Sequence, residues 1–395
     1  MDTNLGPLVG PEAVELLAAV LTPAGGRVEN WRVDQVDHQP GGRTTVGYQV
    51  RVGWADGSVT EETLGAATGD LPPEVARLTD GHTEVGLWRF PFDPDLPALP
   101  TACDPHRMGR LATRLGLDGA AARLTVRTYR PRRRAVVELA TPTGTVYVKV
   151  LRPGRVRSVH EAHRAATAAG YPAPHPLGWT TDGLLVLAAL PGRPLRDALL
   201  TGTPLTDGVV DGVLAALDLP PALATGARRL TWGQKARHYA GVIAATVPDL
   251  AARARSIAAA VDHAAPEGPD TPVHGDFYEA QLMVAADRVT GVLDIDTAGR
   301  GERLDDAACL LAHLAVLADL HPTRRAPIDQ FRAALHPRLT QTLDPAALAR
   351  RTAAVVLSLA TGPFRVREPG WRRATTQRVE LAERWLAEQM QGVEV

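Results

Sequence analysis

From Val46 the chain reads Val-Gly-Tyr-Gln-Val-Arg-Val-Gly-Trp, which sets Val46, Tyr48, Val50, Val52 and Trp54 on one side at a period of two. Successive side chains of a strand point to opposite faces, so this alternation predicts a half-buried strand. Asp56-Gly57 follows as a hairpin turn, because glycine tolerates the positive φ of a tight primed turn, and residues 58–64 return beside it. With a further strand over 85–92 and a helix over 11–21, residues 1–93 read as a β-rich unit that carries no catalytic constellation. Pro94, Pro97 and Pro100 then punctuate a stretch that can neither continue a ladder nor start a long helix, which predicts a linker.

A short helix near 105–115 leads to a second β region, with strands over 124–129, 135–140 and 145–151 and a turn at Thr141-Pro142-Thr143-Gly144. A helix from Ser158 to Ala169 is stopped by Gly170 and the extended Pro172 and Pro174. Leu184–Leu190 reads as a buried strand closed by Pro191-Gly192. The rest is mainly helical, with long helices at 345–360 and 371–390 and a β-like insert at 271–296. The expected architecture is α+β, with a β-rich cap at 1–93, a β-rich N-lobe at 94–191 and an α-helical C-lobe at 192–395.

Composition narrows the function. Hydrophobic residues at 45% and charged residues at 22% are the balance of a soluble globular chain. Lys plus Arg at 43 against Asp plus Glu at 44 leaves a formal charge of −1, so no global field favours nucleic acid or an anionic membrane, and any phosphate site must be local. The two cysteines, Cys103 and Cys309, are far apart and in no ligand-like spacing, which indicates neither a disulfide framework nor a zinc site and fits a reducing cytoplasm. The start has no basic signal region and no apolar run reaches membrane-helix length, so a cytoplasmic location is expected.

The chemistry concentrates in His274-Gly275-Asp276-Phe277-Tyr278-Glu279-Ala280-Gln281 and, after a strand and turn, Gly291-Val292-Leu293-Asp294-Ile295-Asp296. Phosphoryl transfer from ATP needs a carboxylate to orient the acceptor hydroxyl and take its proton, and oxygen ligands to hold Mg²⁺ on the phosphates. Asp276 is the candidate base and an acceptor contact; Gln281 offers an amide oxygen and Asp294 a charged ligand. On a strand, Asp294 and Asp296 would share a face. His274 is expected to hydrogen-bond backbone near Asp276 and Asp294 rather than to carry protons.

Upstream, Thr145-Val-Tyr-Val-Lys149-Val alternates apolar residues around one lysine, an odd choice for an interior strand unless Lys149 meets nucleotide phosphates. Glu161 admits two readings: an ion pair with Lys149, or the last residue of a Ser158-Val-His-Glu161 capping box. The strand Leu184–Leu190 suits a hinge, with backbone groups at Ala188 and Leu190 toward an adenine.

These motifs, in this order, resemble the aminoglycoside-phosphotransferase-like branch of the protein-kinase fold over residues 105–385. The glutamine of His-Gly-Asp-x-x-x-x-Gln departs from the branch's usual asparagine and is similar to maltokinases and actinobacterial glucosamine kinases; the N-terminal unit is similar to the maltokinase cap. The resemblance implies that Asp306, in Gly301-Glu-Arg-Leu-Asp305-Asp306-Ala-Ala, braces the catalytic loop. It also marks a departure: where protein kinases keep a glycine-rich loop, this chain has Arg130-Pro-Arg-Arg-Arg134, in which Arg133 and Arg134 would act on phosphates through side-chain charge or form a solvated face.

The acceptor implied is a small sugar, foremost D-glucosamine, for whose ammonium group Glu279, Asp296 and Asp305 are spare carboxylates. Maltose or an aminoglycoside antibiotic is the alternative acceptor, and a pseudokinase that binds nucleotide without turnover is the alternative from another class. Oligomeric state is not written in the residues.

Overall fold

The computed structural model describes residues 6–39, 43–73, 75–79, 83–203, 205–262 and 269–391, with side chains as far as residue 387. The chain divides into two compact units: Met1–Arg157 with Pro176–Ala188 and Pro363–Trp371, and Ser158–His175 with Ala189–Gly362 and Arg372–Val395.

The first unit holds two five-stranded antiparallel sheets. One runs β1 (Gly26–His38), β2 (Thr44–Trp54), β3 (Val59–Thr68), β5 (Glu84–Arg89), β4 (Ala76–Thr79) in spatial order. Val46, Tyr48, Val50 and Val52 of β2 are all but fully buried, as their alternation predicts, against Leu17 and Leu21 of the helix Ala13–Leu21. Phe364, from the distant segment Pro363–Trp371, belongs to the same core. β1 shows no such alternation because bulges between Val28 and Asn30 and between Val33 and Gln35 each reset the face.

The second sheet runs β6 (Arg123–Arg130), β7 (Arg134–Thr141), β8 (Gly144–Leu151), β10 (Leu184–Ala188), β9 (Pro176–Trp179). Val137 and Leu139 of β7 and Val146, Val148 and Val150 of β8 fill its core with Met108 and Ala112 of the helix Pro105–Arg114. The proline-punctuated stretch is not the linker expected. Leu96, Ala98 and Leu99 are fully buried in this core, so the prolines shape a fixed corner rather than a tether.

The second unit is helical, with two small antiparallel insertions: β11 (Arg193–Pro194) beside β13 (Leu282–Ala285) and β14 (Arg288–Val292), and β12 (Thr271–Val273) beside β15 (Gly299–Gly301). The helix Arg303–Leu320 is buried on every side from Leu304 to Ala312 and packs along the helix Pro345–Leu359. The helix expected to begin at Ser158 begins instead at Pro153, since proline's fixed φ suits a first helical position. Ser158 is therefore interior to the helix rather than its N-cap, which removes the capping-box reading of Glu161. Gly170, at φ +76°, ends this helix in the left-handed conformation.

Candidate active site

The loop after β12 is held by one carboxylate. Asp306 accepts the amide hydrogens of His274 at 2.6 Å and Gly275 at 2.8 Å, and burial pushes its pKa up to about 6. The His274 ring bonds backbone at both edges. Its Nδ1 accepts from the Asp276 amide at 3.3 Å, which leaves Nε2–H to donate to the Leu293 carbonyl at 2.8 Å. Thr297 Oγ1 donates to the His274 carbonyl at 2.8 Å, and the fully buried Phe277 meets the imidazole edge-on at 5.8 Å. These contacts fix the backbone on both sides of Asp276, whose side chain is half-buried.

By bridging Asp276 to Leu293, His274 also brings in Asp294. Gln281 Nε2 lies 3.5 Å from Asp294 Oδ2, and the Leu293 amide donates to the Gln281 carbonyl at 2.7 Å. A half-turn of the Gln281 amide directs its oxygen to the same point, so the donor set is carboxylate plus amide oxygen, which fits a hard cation such as Mg²⁺. The shared strand face expected for Asp294 and Asp296 does not exist. β14 ends at Val292, Asp294 is left-handed at φ 61° and ψ 39°, and Asp296 lies in the following single turn, Ile295–Thr297. Aspartate is among the few residues that tolerate this conformation. Asp296 Oδ1 faces the buried His163, 3.7 Å from its Nε2, instead of standing free for an acceptor.

The other two carboxylates expected to meet an ammonium group are also engaged. Glu279 is fully buried, and Arg196 donates to its Oε1 from Nε at 2.8 Å and Nη2 at 2.7 Å. Asp305 accepts from Arg351 at 2.6 Å and from the Trp232 amide at 3.2 Å; Arg351, itself buried, also meets Glu302 at 3.2 Å. Burying a carboxylate demands such a partner, and Glu279 Oε2 remains buried without a hydrogen-bond partner.

In the first unit, Lys149 is buried in β8, in register with Val136 and Leu185. The basic loop is tied down. Arg132, left-handed at φ 61°, donates its amide to Asp93 at 2.7 Å and Nε to Asp95 at 2.9 Å, and Arg133 pairs with Asp37 of β1 at 3.1 Å. This pair is solvent-exposed, and Arg134 opens β7. Ala188 ends β10, and the chain leaves the first unit between it and Leu190, where a hinge is expected. Glu161 is exposed on the helix Pro153–Ala168.

No pattern in the sequence pointed to Lys235, Arg229 or His313. Lys235 is in the helix Trp232–Thr246, and burial, with Arg229 adding, pushes its pKa below the usual lysine range while Asp276 and Asp305 pull it back. His313 stacks on Tyr278 at 4.2 Å, and Arg196 covers the same tyrosine ring at 5.6 Å. None belongs to a local motif: Arg229 lies just before the helix that carries Lys235, and His313 comes from another.

A family model described as the phosphotransferase enzyme family (APH) matches residues 132–349, more than half of the chain and all of the loop just described. The chain belongs to the phosphotransferase enzyme family. Among solved structures, this phosphotransferase resembles a thermostable mutant of aminoglycoside phosphotransferase APH(4)-Ia in its apo form, with 14% identity, 72% of this chain and 99% of that chain covered and a TM-score of 0.51. It resembles a further variant of the same protein, in ternary complex with AMP-PNP and hygromycin B, at 16% identity, with 71% and 97% covered and a TM-score of 0.50. At this identity the likeness shows the kinase-like fold. No curated protein sequence matches. Among the described residues, no helix of this phosphotransferase is long and apolar enough to cross a membrane.

Proposed function

We propose that this phosphotransferase moves the γ-phosphoryl group of ATP to a sugar hydroxyl, with D-glucosamine, giving glucosamine 6-phosphate, as the first acceptor to test. The observation that supports the reading is the braced loop: Asp306 and the His274 imidazole fix the backbone at Asp276 and tie it to Leu293, whose neighbour Asp294 meets Gln281. Asp276 orients the acceptor hydroxyl and takes its proton, while Gln281 and Asp294 are the oxygen ligands for Mg²⁺, which neutralises charge on the phosphates when bound. In the same reading Lys149 meets the phosphates with Glu161 as its counter-ion, and the backbone at Ala188 and Leu190 receives adenine. The division into a cap at 1–93, a nucleotide lobe at 94–191 and an acceptor lobe at 192–395 is part of this proposal.

Glucosamine is supported by the likeness of His-Gly-Asp-Phe-Tyr-Glu-Ala-Gln to the glucosamine-kinase group, not by spare carboxylates, since Glu279 and Asp305 are bound to arginines. An aminoglycoside acceptor is the second reading, favoured by the ternary complex of the similar structure with hygromycin B. Turnover of ATP against glucosamine, glucose, maltose, hygromycin B and kanamycin-type acceptors separates the two. Phosphorylation of an aminoglycoside but not of glucosamine overturns the acceptor; turnover of none overturns the enzyme.

A further inference from the structure

The buried helix Arg303–Leu320 carries two residues that the proposed reaction does not use. Cys309 and His313 are four apart and so project from one face of the helix, toward the loop that bears Asp276. One ligand atom from each of Asp276, Cys309 and His313 lies within 4.8 Å of the other two. The ligand atoms of a tetrahedral zinc site stand about 3.3–3.6 Å apart, so closing this set takes roughly 1 Å of side-chain movement.

We propose that Asp276, Cys309 and His313 bind a thiophilic divalent cation of the zinc class, at a position separate from the Mg²⁺ ligands Gln281 and Asp294, and that filling it silences phosphoryl transfer. The silencing half rests on the reading of Asp276 as the base; the binding half does not. A carboxylate oxygen, a thiolate and an imidazole form a borderline-soft set that discriminates against Mg²⁺ and leaves a fourth position for water. Binding exchanges the Cys309 S–H bond for a sulfur–metal bond and sends the proton to solvent, and it occupies the Asp276 oxygen that would receive the acceptor's proton. Stacking on Tyr278 fixes the His313 ring plane, as the outer partner of a metal ligand does. Burial pushes the Cys309 thiol well up and the carboxylates of Asp276, Asp306, Glu279 and Asp305 add to it, so the charges around the sulfur are negative, a field that favours a cation even though Arg196 and Arg351 sit on two of them. The thiol therefore gives up its proton to the bound metal rather than beforehand.

Co²⁺ added to the full-length chain reports directly, since a cobalt–thiolate bond gives a near-ultraviolet charge-transfer band. The band is expected in the wild type and in Cys103→Ser, and its loss in both Cys309→Ser and His313→Gln. Losing an outer partner costs a metal site 10–100-fold in affinity, so losing a ligand should weaken Zn²⁺ by about a hundredfold or more. With excess Mg²⁺ present, Zn²⁺ should stop wild-type turnover, a zinc-selective chelator should restore it, and the two ligand variants should resist. No band in the wild type, or an unchanged band in Cys309→Ser or in the partly exposed His313→Gln variant, overturns the site. A band that follows Cys309 while turnover persists with the site filled overturns the silencing. If no acceptor is phosphorylated at all, the functional reading falls and the band still decides the site.

Discussion

Arg229 fills the space in which a side chain on Gly275 would stand: a Cβ there would lie 2.7 Å from the guanidinium carbon. Gly275 is also left-handed, at φ +81°, so a side chain before Asp276 meets backbone strain as well as the guanidinium. Gly275→Ala must strain the backbone, at about 1–3 kcal/mol, and push Arg229 off the Thr297 carbonyl that it meets at 2.5 Å. The expected result is a lower Tm and loss of most turnover. A variant as stable and active as wild type would show that the loop geometry is not required.

Asp276→Asn keeps shape but removes the proton acceptor. Turnover should fall by about 10²–10⁴-fold, with nucleotide affinity by titration calorimetry unchanged. Retained turnover would assign the proton to another group.

Asp294→Asn removes a negative charge from the proposed Mg²⁺ ligands while sparing the left-handed backbone, which asparagine tolerates. The Mg²⁺ concentration for half-maximal rate should rise at least about tenfold, with little change in Tm. An unchanged magnesium requirement would move the cation elsewhere.

The brace has a pH signature. Asp306 titrates at about 6 in the folded chain and near the ordinary carboxylate value, about 3.9, when unfolded. Between those values the folded state keeps a proton that the unfolded state has lost, so this group's contribution to stability is present below the window and lost as pH rises through it. Asp306→Asn cannot titrate. Its urea-unfolding free energy should fall less than that of wild type between about pH 4 and 6, by roughly 3 kcal/mol from linkage. Parallel profiles would show that Asp306 is not strained by burial.

Arg196→Met leaves Glu279 buried without its cation, which should destabilise the chain by about 3–5 kcal/mol. Adding Glu279→Leu should recover much of that loss. Destabilisation that the double variant fails to relieve would mean that Arg196 acts mainly through the Tyr278 ring.

What the sequence revealed and what it hid divide along physical lines. β2 was legible because its period of two runs unbroken, whereas β1 was not, because two bulges displace its apolar residues from any single period. The loop around Asp276 was legible because its parts lie within a few residues of one another. Leu-Asp-Ile-Asp alternates as a strand does, yet the ladder stops at Val292 and the backbone turns left-handed at Asp294. The arginines that claim Glu279 and Asp305 are 83 and 46 residues away, and no local pattern encodes a pairing at that range.

Phe364 has a bearing on how the protein is made. The sheet of β1–β5 closes its apolar interior with a residue synthesised long after β5, together with its neighbour Trp371, whose ring meets it at 5.0 Å. A nascent chain ending before residue 363 therefore carries an incompletely filled first sheet, exposed to aggregation until translation has passed Trp371.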